Sequence, residues 1–388
     1  PLYRPQQRHG APLPGRRITT NGVRSTTPRT PTGVRSTTPG TPTGAGLIDA
    51  RLRPADMPEP LPLLRAADFP PGALPRELRR GTIARVGAGV YVPRADPQLE
   101  DWQIRFLESE ALILAQGSTI RSGTTIVRDH AALLLGADFL TMPSKVHLAT
   151  PYRISSLDRS PFAERHHQVI GREHLLTAAG LPVTDHARTA VDCARHAGLD
   201  QGMTIASSLM RIATAPDPRE RAAGEARGAA FTGSMLGIIE AESGHRGNRR
   251  ARMVAGLSSG WLESPLEVRS YLNVLMLGLP APTLQKMFVI GGKRYFADAA
   301  WEGIDPGGRP WSVILESDGY IKYRDRSYWV RERERDNDLR STGAIVIHVS
   351  WEIAMDLDKF AHTLLGAFPP HVLCTLRPHS ELRRHWRR

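Results

Sequence analysis

Three acidic residues near the C-terminal end of the chain interrupt segments that otherwise predict buried strands. Asp298 lies inside YFADAAW, while Glu316 and Asp318 end WSVILESDG. An unpaired buried carboxylate is costly. Since residues at i and i+2 of a strand share a face, Glu316 and Asp318 can point the same way. If the two strands are neighbours, three carboxylates converge and repel one another unless a cation lies between them.

A divalent metal would resolve this repulsion and supply chemistry. Mg²⁺ is a hard cation that proteins bind through one or two carboxylates, with waters and phosphate oxygens completing the shell. Such an ion activates a water and stabilises an in-line displacement at phosphorus. Lys322, just past the turn at Gly319, could neutralise the developing charge or position the attacking water. The pattern predicts Mg²⁺ or Mn²⁺ chemistry with four catalytic residues, Asp298, Glu316, Asp318 and Lys322.

Asp298 and Glu316 also have an explanation that needs no metal. Each could form a buried salt bridge, for which Arg294 and Arg340 are available as partners. Only the relative placement of the two strands decides between a metal site and ion pairs. The metal site requires that both carboxylates lie on one side of the sheet.

Other members of the pattern have simple alternatives too. Glu267 follows Ser264 by three residues with Pro265 between them, which is a helix capping box with proline at the first helical position. Asp318 precedes a glycine, as in an ordinary turn. Lys322 could be a solvated loop lysine. The joint arrangement is harder to explain in these ways than any single residue.

The elements around these residues can be predicted from the sequence. After a Gly/Ser hinge at 256–260, Ser264 opens a helix that continues through Leu277. Gly291-Gly292 is a two-residue hairpin signal between two strands, and a third apolar strand follows. The predicted strands are 287–290, 294–301, 311–316 and 344–350, with a charged helix at 326–341 and a closing helix at 352–365. The order is αβββαβα.

These residues in this order resemble the PD-(D/E)XK nuclease superfamily, in particular its branch related to very-short-patch repair endonucleases. The resemblance rests on Glu267 in a leading helix, Asp298 in the hairpin and the segment Glu316-Ser-Asp318-Gly319-Tyr-Ile-Lys322, and it extends over residues 258–360. It implies a restriction-endonuclease-like αβββαβ fold in which Glu267 supports the site while Asp298 and Glu316 bind the metal. Asp318 stands where the superfamily has lysine, and the related branch often has histidine at the position of Lys322.

The charged helix at 326–341 carries arginines interleaved with acidic residues. As i, i+4 pairs these charges would merely solvate one face. Because the helix follows the strand that ends in Glu316, some arginines could instead bind DNA phosphates. Arg331 and Arg335, which share a face, are the predicted nucleic-acid-binding residues.

The region upstream predicts two further modules. A helix at 77–80 followed by the hairpin-like GTIARVGAGVYV is typical of the end of a winged helix, here a degenerate one interrupted by prolines. The middle region contains the segments Asp129-His130-Ala131-Ala132, Val146-His147-Leu148 and Gly180-Leu-Pro-Val-Thr184. With these segments it resembles the middle region of actinobacterial proteins similar to AbiEi-type antitoxins of type IV toxin–antitoxin systems. In it, His130 and Arg188 could be functional, although a core or capping role is the simpler interpretation. Predicted strands and helices include 145–150 and 187–197.

The resulting fold class is α/β (α+β), with four predicted segments. They are a basic Pro/Thr/Arg-rich tail at 1–50, a winged-helix-like region at 51–125, a mixed α/β module at 126–250 and the nuclease-like domain at 255–388. The tail contains a near-duplication, GVRSTTPRTPT and GVRSTTPGTPT, and cannot bury a core. Either it is a basic arm that contacts phosphates or it is an extension without function.

Charge and composition favour a nucleic-acid partner. The formal net charge is +12 and the isoelectric point is near 10.2, so polyanions are attracted at long range. A general compositional drift towards arginine is the alternative. Only Cys193 and Cys374 occur, which argues against a disulfide framework or a zinc finger. No stretch approaches the roughly 18–20 apolar residues of a membrane span, and a cytoplasmic location is expected.

Two functions follow as expectations, and a third is weaker. The first is a Mg²⁺-dependent DNA endonuclease. The second is a DNA-binding AbiEi-type antitoxin or autorepressor whose nuclease-like domain is inactive, with a cognate toxin as partner. The third is a protein-interaction module that uses the sheet as a scaffold.

Overall fold

The computed structural model describes residues 57–117, 120, 122–155, 160–319, 326–379 and 382. The duplicated tail and Lys322 lie outside these residues. Three sheets and a set of helices make a mixed α/β architecture. In the described part of the chain, no helix is both long and apolar enough to cross a membrane.

The first described region contains a small antiparallel sheet with strand order β1-β3-β2. Its elements are β1 (Leu64–Arg65), α1 (Ala73–Arg80), β2 (Ile83–Gly87), β3 (Val90–Pro93) and α2 (Asp101–Gly117). Val86, Val90 and Val92 pack on Ala111 and Ala115 of α2. The predicted short helix and hairpin are therefore confirmed. The helix before the hairpin buries none of its residues.

The middle region is built on a five-stranded mixed sheet with the order β6-β5-β4-β8-β7. Its strands are β4 (Thr125–Ile126), β5 (Val146–Thr150), β6 (Ala163–His167), β7 (Leu175–Ala178) and β8 (Leu181–Thr184). Its helices are α3 (Arg128–Leu134), α4 (His186–His196), α5 (Leu199–Thr214), α6 (Arg221–Ala241) and α7 (Asn248–Leu257). Ala251, Val254 and Ala255 of α7 belong to the same core as the sheet. The last helix of this core therefore crosses the predicted boundary at residue 250.

The C-terminal region contains a four-stranded sheet with the order β12-β11-β10-β9. Its elements are α8 (Pro265–Leu277), β9 (Thr283–Ile290), β10 (Lys293–Ile304), β11 (Pro310–Asp318), α9 (Arg326–Ser341), β12 (Ile345–Ser350), α10 (Trp351–Ala354), α11 (Leu357–Leu365) and α12 (Pro370–Leu373). β9, β10 and β11 form an antiparallel meander, and β12 joins β11 in parallel after the α9 crossover. One face of the sheet packs on α8 and α11, and the other packs on Leu339 of α9.

The closing part of the C-terminal region differs from the sequence prediction. A single closing helix was expected at 352–365, but two helices occur, α10 and α11. The chain is extended at Asp356, whose Oδ1 accepts hydrogen bonds from the amides of Asp358 and Lys359, both at 3.1 Å. An aspartate that caps a new helix start competes with continuation of the old helix. The prediction of one continuous helix was therefore wrong.

Candidate functional site

The register of the C-terminal sheet brings Asp298 and Glu316 together. β10 and β11 pair from Ile304–Pro310 to Ala299–Leu315, so Asp298 and Glu316 lie just beyond the last pair of the ladder. The Ser317 amide donates a hydrogen bond of 2.8 Å to Asp298 Oδ2. The two carboxylates named from separate segments of sequence therefore occupy neighbouring strands at one end of their ladder.

The backbone of β10 changes orientation at Asp298. Ala297 packs in the core beneath α9, whereas Ala299 packs in the core beneath α8, although alternate residues of a regular strand share a face. On the adjacent strand, Gln285 has a φ of 46°, which a side-chain-bearing residue rarely adopts. This irregularity places Asp298 between the two faces of the sheet.

Glu316 lies on the α9 side and is almost fully buried. Arg335 Nη2 donates to Glu316 Oε1 at 3.0 Å and to the Phe296 carbonyl at 2.6 Å. Burial first, and then the negative charge of Asp298, raise the pKa of Glu316 to about 8, against the opposing effect of Arg335. The pKa of Arg335 is itself raised by Glu316 and Asp298, although burial opposes this. The Arg335 guanidinium thus interacts with both carboxylates but does not fully offset the free-energy cost of burying them.

Asp318 belongs to a second cluster beside the first. His348 of β12 is the register partner of Glu316 and lies within 2.9 Å of a carboxylate at each ring nitrogen, Asp318 Oδ2 at Nδ1 and Asp336 Oδ2 at Nε2. A histidine that donates from both nitrogens is protonated. The hydrogen bond to Asp318, followed by the charges of Asp318 and Asp336, raises the pKa of His348 to about 9. Asp298, Glu316 and His348 are therefore titratable residues on three neighbouring strands.

Glu267 caps its own helix and also faces the site. Its Oε2 accepts from the Glu263 amide at 2.8 Å, and its Oε1 accepts from Ser264 Oγ at 2.8 Å. Glu267 and Asp298 line the same small cavity, together with Ser270 and Ser317. The capping interpretation of Glu267 is thus realised, and its role as a metal ligand stays a prediction.

The cavity between Glu267 and Asp298 offers the donor atoms that Mg²⁺ prefers. Its volume of about 10 Å³ is comparable to the space that one water needs. The hydroxyls of Ser270 and Ser317 are buried without a hydrogen-bond partner among the described residues, so both are available to a ligand in this cavity. Carboxylate and hydroxyl oxygens suit a hard cation. Glu267, Asp298 and the two serines therefore fit a Mg²⁺ ion, whereas Glu316 does not line this cavity.

The predicted site residues are thus placed in different ways. Asp298 and Glu316 come together, Glu267 approaches Asp298 from α8, and Asp318 turns to His348. Arg335 points into the sheet, whereas Arg331 is exposed on α9. Contact of either arginine with nucleic acid stays a prediction. Lys322 cannot be placed because it lies outside the described residues.

Sequence reasoning missed three parts of this arrangement. Glu316 has a basic partner, but the partner is Arg335 rather than the two arginines considered. His348 and Asp336 were not singled out. A signal for His348 was present, because it interrupts the apolar segment AIVIHVS in the same way as Asp298 interrupts its strand. No local pattern distinguishes Asp336 from the other acidic residues of α9.

The two residues noted in the middle region are both buried. Arg188 forms salt bridges with Asp192 at 2.9 Å and Glu242 at 3.0 Å, which ties α4 to the end of α6. This geometry supports the core role. His130 is fully buried, and both its ring nitrogens lack a hydrogen-bond partner in the described part of the chain.

Comparison with models of known protein families gives no match to this chain, and comparison with the curated proteins gives no similar sequence. The functional assignment therefore depends on the geometry of the site.

Proposed function

We propose that residues 255–388 form a restriction-endonuclease-like domain of the PD-(D/E)XK class that hydrolyses DNA phosphodiester bonds with Mg²⁺ or Mn²⁺. The order αβββαβ and the mixed sheet β12-β11-β10-β9 support this fold. DNA is the proposed partner, in keeping with the net charge of +12. A cytoplasmic location is part of the same proposal.

The observation that carries the proposal is the pair formed by Asp298 and Glu316. The two carboxylates lie just beyond the last pair of a buried ladder, and burial together with the charge of Asp298 raises the pKa of Glu316 to about 8. Acidic pairs that cost stability in this way are typical of functional sites. A divalent cation between them would offset both burial and mutual repulsion.

Each residue of the proposed site has a distinct role. Asp298 and Glu316 supply carboxylate oxygens for the ion, with Glu267 on the far side of Asp298. The Ser317 amide holds Asp298 in place, and Arg335 orients Glu316. When bound, Mg²⁺ would lower the pKa of a coordinated water and stabilise charge on the phosphate. His348, protonated between Asp318 and Asp336, holds Asp318 in the position where the superfamily has lysine.

The test is cleavage of DNA by the purified full chain. Supercoiled plasmid and short duplexes are incubated with protein in Mg²⁺, Mn²⁺ or EDTA, alongside Asp298→Asn and Glu316→Gln. Glu302→Gln is the matched control, because Glu302 lies on the same strand as Asp298 but pairs with Lys286 at the surface. We expect metal-dependent nicking by the wild type and Glu302→Gln, and none by the other two variants. Cleavage that survives in both of them would refute the assignment.

A second function is favoured by one specific observation. Arg335 already forms a salt bridge with Glu316, and the capping contacts occupy both carboxylate oxygens of Glu267. A domain in which ion pairs replace the metal would suit a DNA-binding antitoxin or autorepressor with an inactive nuclease-like domain. Folded wild-type protein that binds duplex DNA, cleaves none in any metal and binds a toxin encoded beside it would establish this alternative.

A further inference from the structure

A group of potential metal ligands lies in the middle sheet, away from the carboxylate pair. β5 and β6 run parallel, and their register pairs His147 with Glu164 and Ala149 with His166. Paired residues on neighbouring strands share a face, as do residues two apart on one strand. His147, Glu164 and His166 therefore project from the same face of the sheet.

The three side chains converge closely. His147 Nδ1 lies 3.0 Å from His166 Nε2, and one ligand atom from each of the three residues falls within 4.8 Å of the other two. A hydrogen bond between two imidazole nitrogens requires that one of them be an unprotonated acceptor, which is also the form that binds metals. Glu164 is exposed, so the group can be reached from solvent.

Further polar groups that the proposed nuclease activity does not use surround this trio. His130 is fully buried with both ring nitrogens unpartnered among the described residues, and burial together with the charge of nearby His147 lowers its pKa to about 3. Such orphaned nitrogens in a core call for an explanation. Arg128, at the start of α3, is a nearby positive charge that weakens cation binding, and the carboxylate of Glu164 counteracts it.

We propose that His147, Glu164 and His166 bind a transition-metal cation, with Zn²⁺ the best fit. Two imidazoles and one carboxylate are a ligand set that Zn²⁺ accepts with a fourth position left for water. Zn–N bonds of about 2.0–2.1 Å at a tetrahedral angle place two ligand nitrogens roughly 3.3–3.4 Å apart. The observed 3.0 Å between the two rings needs to widen by only a few tenths of an ångström.

This site differs in chemistry from the one in the C-terminal sheet. Imidazole ligands favour Zn²⁺, Ni²⁺ or Cu²⁺, whereas the oxygen ligands near Asp298 favour Mg²⁺. The inference therefore does not depend on the proposed nuclease activity, and Asp298→Asn should leave Zn²⁺ binding unchanged.

The experiment uses the full chain, produced without a histidine tag and freed of metal by a chelator that is then removed. Zn²⁺ is titrated in competition with a chromophoric chelator, and Co²⁺ absorption reports the coordination geometry. His147→Gln, His166→Gln and Glu164→Gln are the test variants. His167→Gln is the matched control, because His167 is the next residue on β6 and faces the other side of the sheet.

We expect about one Zn²⁺ per wild-type chain in a tetrahedral site, and an affinity at least about tenfold lower in each test variant. Zn²⁺ should also raise the Tm of the wild type and of His167→Gln more than that of the test variants. Should the histidine variants fail to fold, Glu164→Gln decides, because its side chain is exposed and its loss leaves the core intact. Equal Zn²⁺ affinity in Glu164→Gln and His167→Gln, or no binding by the wild type, would overturn the proposal.

Discussion

Arg335 of α9 and Glu316 of β11 form an ion pair of 3.0 Å across the face of the C-terminal sheet. The same guanidinium nitrogen also donates to the Phe296 carbonyl of β10, so one side chain ties the crossover helix to two strands. It supplies positive charge at the place where the proposed metal would act. This pair therefore affects both the stability of the fold and the proposed function.

Replacing Arg335 with methionine should destabilise the fold by about 1–3 kcal/mol. The loss should be smaller than the roughly 3–5 kcal/mol typical of a broken buried ion pair, since Glu316, with a pKa of about 8, already holds a proton at neutral pH. Arg335→Met/Glu316→Gln should lose less than the sum of the single variants, as contacting residues do. Urea unfolding at neutral pH measures this. Arg331→Met, at an exposed position one turn earlier, is the control; an additive double variant would show that the two residues are not coupled.

Glu316 should make the protein less stable as pH rises. Its pKa is raised from 4.5 in the unfolded chain to about 8 in the fold, so between these values the folded state holds a proton that the unfolded state has released. The free energy of unfolding then falls with increasing pH, by at most about 1.4 kcal/mol per unit for one proton. Glu316→Gln should make the free energy of unfolding less dependent on pH between pH 5 and 8. Unchanged slopes in the two proteins would contradict the burial of an ionisable Glu316.

His348 should cause a second loss of stability at higher pH. Its pKa is raised from 6.5 to about 9, so its pairing with Asp318 and Asp336 stabilises fully below the unfolded value and is lost as pH rises through about 9. His348→Gln should lower stability at pH 6 and converge towards the wild type near pH 10. His362→Gln, on the exposed side of α11, serves as the control and should track the wild type throughout. A constant offset of His348→Gln at every pH would mean that packing, not charge, is responsible.

Asp356 should be worth about 1 kcal/mol as the cap of α11. Asp356→Ala removes the oxygen that accepts from two amides, and the break between α10 and α11 loses its side-chain support. Asp356→Asn should retain most of the stability, because asparagine is an equally good capping residue. Thermal or urea unfolding distinguishes the two. Similar losses in both variants would point to the charge of Asp356 rather than to its capping bonds.

Local sequence patterns predicted most of the elements. The Gly291-Gly292 pair turns β9 into β10 with φ values of 56° and 78°, as the two-residue hairpin signal requires. The helix that begins after Ser264 ends at Leu277 as expected, because capping and hydrophobic spacing act over a few residues. The break at Asp356 was missed since a capping aspartate inside a helical pattern looks like any exposed polar residue.

By itself, the sequence determined most of the helices and strands of the C-terminal region, the polar residues that interrupt its strands and the excess of positive charge. Only the tertiary structure decided which side chains meet. The choice of Arg335 over other arginines depends on how α9 lies across the sheet, and the contact of His147 with His166 depends on parallel pairing of strands joined by a long connection. Such contacts join residues far apart in the chain, so no periodicity or local propensity encodes them.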